Sequence, residues 1–193
     1  MVEIALIRPG SSDYDGLGRI QGNLELPLTT QGAAEVVAMA EELRGHGLTV
    51  IYSANAQPAL ETAEILARAL GIKCKRLDKL ENVNMGLWQG MQYDEVRHKH
   101  PSCFKEWEDL SENVCPPEGE TLGEARDRLV DVLEKVMRKH IGGAMGLVLP
   151  RPLSDIAVPV LSSGDLGANW QVHAEFGHWE LLRTGALVQP GPA

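Results

Sequence analysis

The stretch Val2-Glu3-Ile4-Ala5-Leu6-Ile7, running into Arg8-Pro9-Gly10, decides how this chain is read. It is a nearly continuous apolar run of strand length. Working outward, a helical segment near 30–44 follows, and then a second apolar run from Leu48 to Tyr52; strand, helix and strand in that order imply a βαβ unit. Thr29 and Thr30 are candidate caps of the helix, Val36, Val37, Ala40 and Leu43 its apolar positions, and Gly45 and Gly47 its stop signals. Asn55 is a candidate cap for a second helix through Leu60, Ala63, Ile65, Leu66 and Ala69, which Gly71 ends. Lys73 to Leu77 reads as a weaker third strand.

Between about 80 and 118 the pattern loosens into short helices and loops around Trp88, Trp107 and Cys115-Pro116-Pro117, a lid-like insertion. A long helix from Thr121 to His140 carries Leu122, Ala125, Leu129, Leu133 and Val136 on one face, and Met145 to Leu149 is the fourth strand. Pro150, Pro152 and Pro159 then interrupt the place of a further helix, which should be short or absent. Gln171 to Phe176 and Trp179 to Arg183 fit a hairpin about Gly177-His178. Residues 1–185 are expected to make one domain, with 186–193 a frayed tail.

The 193 residues are 44% apolar and 23% charged, enough for one substantial core. A formal net charge of -9 disfavours nonspecific binding to nucleic acid or an anionic membrane. The start MVEIALIRPG, with Glu3 and no basic segment, is unlike a signal peptide, and no apolar run approaches membrane-spanning length. A cytoplasmic protein is expected. Cys74, Cys103 and Cys115 are odd in number and widely spaced, which argues against a disulfide framework or a zinc site.

Four stretches carry a resemblance to a known family: RPGSSDYDGLGRIQGNLELPLTTQG at 8–32, YSANAQPALETAEIL at 52–66, LENVNMGLWQG at 80–90 and PPEGETLGEARDRL at 116–129. In that order they resemble the phosphoglycerate-mutase-like group of the histidine phosphatase superfamily, over residues 2–150. The resemblance implies an α/β fold, a three-layer sandwich whose mostly parallel central sheet has helices on both faces and one antiparallel edge strand. Its site would lie at the carboxyl ends of the strands. It also implies phosphoryl transfer through a histidine nucleophile, two arginines and a second histidine holding the phosphate, and a carboxylic acid, with no metal or other cofactor.

Mapped onto that pattern, Arg8 matches the first arginine, Gly10 the glycine after the nucleophile, and Glu81 the acid. Pro9 stands at the nucleophile, Pro58 at the second arginine, and Arg151 near the second histidine. Proline has no nucleophilic atom and no N–H. Loss of a charge-stabilising donor typically costs on the order of 100- to 1000-fold in rate, and loss of a nucleophile roughly a millionfold. The expectation on this count is a catalytically silent family member, a pseudoenzyme serving as an anion-binding or assembly module.

Arg8, Gly10, Arg19 and Arg151 are the candidate anion-binding residues, for phosphate or a small phosphorylated ligand. Against this, Arg8 and Glu81 could form a structural salt bridge, the favoured alternative, since an intact anion pocket would keep its second arginine. Ser11 and Ser12 read as loop hydroxyls, His98 and His100 as a solvated helix end and not a metal site, and Trp88 as a packing residue. Two other functions remain open. One is an active phosphomonoester phosphatase or mutase with a relocated nucleophile, for which His98, His100, His173 and His178 are the candidates. The other is a structural protein that forms a homodimer.

Overall fold

The computed structural model describes residues 1–109, 111–162 and 176–184. Its strands are β1 (Val2–Ile7), β2 (Leu48–Ser53), β3 (Lys73–Arg76), β4 (Ala144–Val148) and β5 (Trp179–Thr184). They form one sheet in the order β3-β2-β4-β1-β5, with β5 alone antiparallel, paired to β1 from Val2 opposite Thr184 to Ile7 opposite Trp179. The apolar content of each strand follows its place. β4 and β1 are flanked on both sides and almost wholly buried, whereas Lys73-Cys74-Lys75-Arg76 forms an exposed edge that carries charge.

The helices are α1 (Asp13–Gly16), α2 (Thr30–Leu43), α3 (Ala59–Leu70), α4 (Tyr93–Lys99), α5 (Pro101–Glu108), α6 (Leu122–Met137) and α7 (Leu153–Ser162), with a 3-10 turn at Gly86–Trp88. Right-handed crossovers in this strand order put α2 and α3, which pack together, on one face and α6 and α7 on the other. Thr29 caps α2 by accepting from the Gly32 N–H at 2.9 Å. The buried stripe of α2 is Val36, Met39, Ala40 and Leu43, so Met39 takes the inward place expected of Val37, which points to solvent. Gly71 ends α3 at φ +68°, where a side chain would be strained. The start of α3 differs from expectation: Pro58, not Asn55, stands at its N-cap.

The region after β4 corrects a second expectation. A ten-residue helix, α7, runs through it despite three prolines. Pro150 and Pro152 precede the helix and contribute carbonyls, which accept from Ser154 at 2.9 Å and from Asp155 at 3.0 Å, so their missing N–H groups cost nothing. Only Pro159 lies inside the helix, whose inner face of Leu153, Ile156, Ala157, Val160 and Leu161 is buried. Burial of that face outweighs one absent bond. The proposed hairpin is described only on its β5 arm; residues 171–175 and the tail lie outside the described residues.

Candidate active site

β1 and β4 lie side by side and parallel, so their carboxyl ends deliver Arg8-Pro9-Gly10 and Pro150-Arg151-Pro152 to one rim of the sheet. With Pro58 from the turn after β2, and with residues of α1 and α4, these segments line a cavity of about 600 Å³. This is the crevice where sheets of this kind bind ligands.

One carboxylate organises the arginines. Asp155, in the first turn of α7, accepts from Arg8 Nη2 at 3.0 Å through one oxygen and from Arg151 Nε at 2.6 Å through the other. The three side chains are only 16%, 17% and 8% exposed in the order Arg8, Arg151, Asp155. Burial pushes the Asp155 carboxyl above the ordinary aspartate value, while the two guanidiniums pull it back. Two guanidiniums thus share one carboxylate at the strand ends, and guanidiniums at the wall of a cavity suit the oxygens of a phosphoryl group. Arg8 therefore does not pair with Glu81, and Glu81 is not among the residues lining the cavity. The expected Arg8–Glu81 bridge is corrected by α7, which carries a closer carboxylate to Arg8.

The loop holding Arg151 is braced from behind. Buried Asn82 donates to the Arg151 carbonyl at 2.6 Å and to the Gly22 carbonyl at 3.1 Å. Its own carbonyl accepts from Arg128 Nη2 at 3.0 Å, and Arg128 is paired with Glu120 at 2.7 Å. On the β1 side, the Gly10 N–H donates to Thr62 Oγ1 at 3.2 Å and is committed there. A Cβ on Gly10 would lie 2.3 Å from the Gly32 carbonyl oxygen, so the backbones of loop and helix meet only because glycine is present.

The two serines are spoken for. Ser11 donates through N–H and Oγ to Glu35 at 2.9 and 3.2 Å, and Ser12 in the same way to Asp15 at 2.6 and 2.8 Å. Asp15 itself lines the cavity, and burial raises its carboxyl above the ordinary value, against the lowering effect of the Ser12 hydrogen bonds. Burial likewise pushes Tyr93, another lining residue, up to about 12, so its phenol stays protonated at neutral pH. Arg19 lines the cavity too, its guanidinium donating to the Gly90 carbonyl.

Among the described residues no histidine lines this cavity. His100 stacks on the buried Trp88 with ring centroids 6.1 Å apart, His98 is exposed on α4, and the His178 carbonyl accepts from the Arg8 N–H at 2.8 Å. His173 lies outside the described residues. Also among the described residues, no group of three or more potential ligands is placed to hold a metal, and no helix is long and apolar enough to cross a membrane. The sequence reading missed Asp155, Asn82 and Asp15. Only Asp155 left a signal, its spacing four residues after Arg151.

A mostly parallel sheet with two arginines at its carboxyl rim defines the class, an α/β fold with guanidiniums at the strand ends. The chain belongs to the histidine phosphatase superfamily (branch 1), whose family profile matches residues 4–183. It is similar to phosphoserine phosphatase 1 of Hydrogenobacter thermophilus, 31% identical over 140 residues that cover 72% of this chain and 66% of that protein. To the metal-independent phosphoserine phosphatase of Arabidopsis thaliana it is 30% identical over 145 residues, 74% of this chain and 61% of that one. The match thus spans under two thirds of the length of either relative. Among solved structures, Bacillus stearothermophilus YhfR superposes with a TM-score of 0.84 at 21% identity, covering 97% of this chain and 95% of that one. Phosphoglycerate mutase from Bacillus anthracis gives 0.81 at 18%, covering 99% and 92%. These likenesses carry the fold.

The relatives correct the expectation of a catalytically silent module. Chains of this similarity are named for phosphatase activity, and they favour the active alternative. The count of replaced groups treated phosphoryl handling as the property of single matched positions. Asp155, which ties Arg8 to Arg151, and Asp15, which lines the same cavity, have no place in that count.

Proposed function

We propose that this chain hydrolyses phosphomonoesters, with the phosphoryl group held by Arg8 and Arg151. The observation that carries the reading is the pair of guanidiniums fixed by Asp155 in a cavity at the strand ends. Membership of a family whose curated relatives include phosphoserine phosphatases supports it. The cytoplasm is part of the proposal, in keeping with three unpaired cysteines.

Pro9 offers no nucleophile, so the acceptor in this reading is water. Its oxygen forms the new bond to phosphorus as the bond to the ester oxygen breaks, and the departing alcohol takes its proton from solvent. Asp15 receives the proton of the attacking water. Among the described lining residues it is the carboxylate with no arginine partner, and burial raises its carboxyl above the ordinary aspartate value, which strengthens it as a base. Arg8 and Arg151 stabilise the charge on the transferring group.

The test is phosphate release from a panel of phosphomonoesters by the wild-type chain and by Arg151→Ala. Release that falls at least about 100-fold on removal of Arg151 is the expected result. No release above the Arg151→Ala background from any member of the panel would refute the reading.

A further inference from the structure

Resting on the phosphomonoesterase reading, we infer that the ester taken by this cavity has a neutral, apolar leaving group, such as an aryl alcohol, and not a zwitterionic or acidic one. Two observations on the part of the cavity beyond the arginines carry this. The first is exposed apolar surface: Leu17 of the α1 C-cap is 57% exposed and Phe176 is 45% exposed, both line the cavity, and both also line a neighbouring hollow of about 450 Å³. Their side chains border both spaces and are exposed to water, while Met85 and Trp107 add buried apolar surface to the cavity lining. Large apolar side chains left in water beside a cavity favour a partner that covers them.

The second observation is that, among the described residues, the charged side chains lining the cavity beyond Arg8 and Arg151 already hold polar partners. Arg97 pairs with Asp94 at 3.2 Å and with Glu108 at 3.1 Å, and lies over the Phe104 ring at 5.1 Å. Arg19 donates to the Gly90 carbonyl, and Asp15 holds two donors from Ser12. An ammonium or carboxylate on the leaving group would have to compete with these partners, or be desolvated against Leu17 and Phe176 without one. An aryl group meets no such cost. The cavity volume of about 600 Å³ leaves room for a bicyclic ring besides the phosphoryl group.

Calorimetric titration separates this inference from the reading beneath it, since non-hydrolysable phosphonates report binding without turnover. The ligands are inorganic phosphate, 1-naphthylmethylphosphonate and the amino-acid phosphonate 2-amino-4-phosphonobutanoate. The naphthyl ligand should bind at least about tenfold more tightly than phosphate, equivalent to about 1.4 kcal/mol, with no such gain for the amino-acid ligand. Leu17→Asp and, separately, Phe176→Ser should each cut the ratio of naphthyl to phosphate affinity at least about threefold; both sites are exposed and tolerant of change. If phosphate binds but the amino-acid ligand is the tighter, or both variants keep the ratio, the leaving-group inference is wrong. If phosphate itself does not bind, the phosphomonoesterase reading fails and takes this inference with it.

Discussion

Asp155 is the residue on which the charge balance of the site turns. Replacing it by Asn keeps the shape but removes the carboxylate that Arg8 and Arg151, each more than four-fifths buried, share. Removing one partner of a buried ion pair typically costs about 3–5 kcal/mol, and Asp155→Asn should lower stability by about 3 kcal/mol. A bound anion restores the missing charge, so millimolar phosphate should raise the melting temperature of the variant more than that of the wild type. Equal shifts in both would show that phosphate does not bind beside these arginines. Asp15 makes a different prediction. Its carboxyl is raised by burial, so the folded chain holds that proton more tightly than the unfolded chain does. Its contribution to stability is present below the ordinary aspartate value and is lost as the pH rises through the raised one. Melting curves from pH 3 to 8 should show wild type losing stability relative to Asp15→Asn over that window; parallel profiles would contradict the assignment. Pairing of this kind is hard to read from sequence. Arg8 and Arg151 were recognised because they sit in or beside motifs, but their shared partner depends on how α7 docks, 147 residues along the chain from Arg8.

Elements were legible where cap, period and stop agreed. The long helix α6 was anticipated from Thr121 onward, and the structure supplies the reason: Thr121 Oγ1 accepts from the Glu124 N–H at 3.0 Å, and Glu124 accepts from the Thr121 N–H at 2.8 Å. Thr121→Ala should cost about 1 kcal/mol in denaturant unfolding with an unchanged m-value. An effect below about 0.3 kcal/mol would mean that α6 is held by packing alone. The element that local signals misplaced was α7. Proline content argued against it, yet two of its three prolines fall before the first helical turn, where no N–H is needed, and a buried face supports the third. Propensity yielded to packing there. Gly10 marks a further limit, because its need for glycine comes from an approach to Gly32 on another element that no local pattern encodes.

For the molecule as a whole, the sheet order and the single antiparallel edge strand place the cavity where family resemblance and strand topology both put it. The fold was therefore legible from the apolar runs and their spacing. The function was less so. Motif matching weighed Pro9 and Pro58 heavily and led to a silent module, whereas the relatives favour activity and the cavity keeps Arg8 and Arg151 in its lining together with Asp15. The central claim is that a phosphoryl group sits against Arg8 and Arg151. A crystal soaked in vanadate, a mimic of the transferring group, tests it most directly. The account predicts vanadate oxygens within hydrogen-bonding distance of both guanidiniums; a cavity without the anion at saturating vanadate, or an anion bound elsewhere, would contradict it.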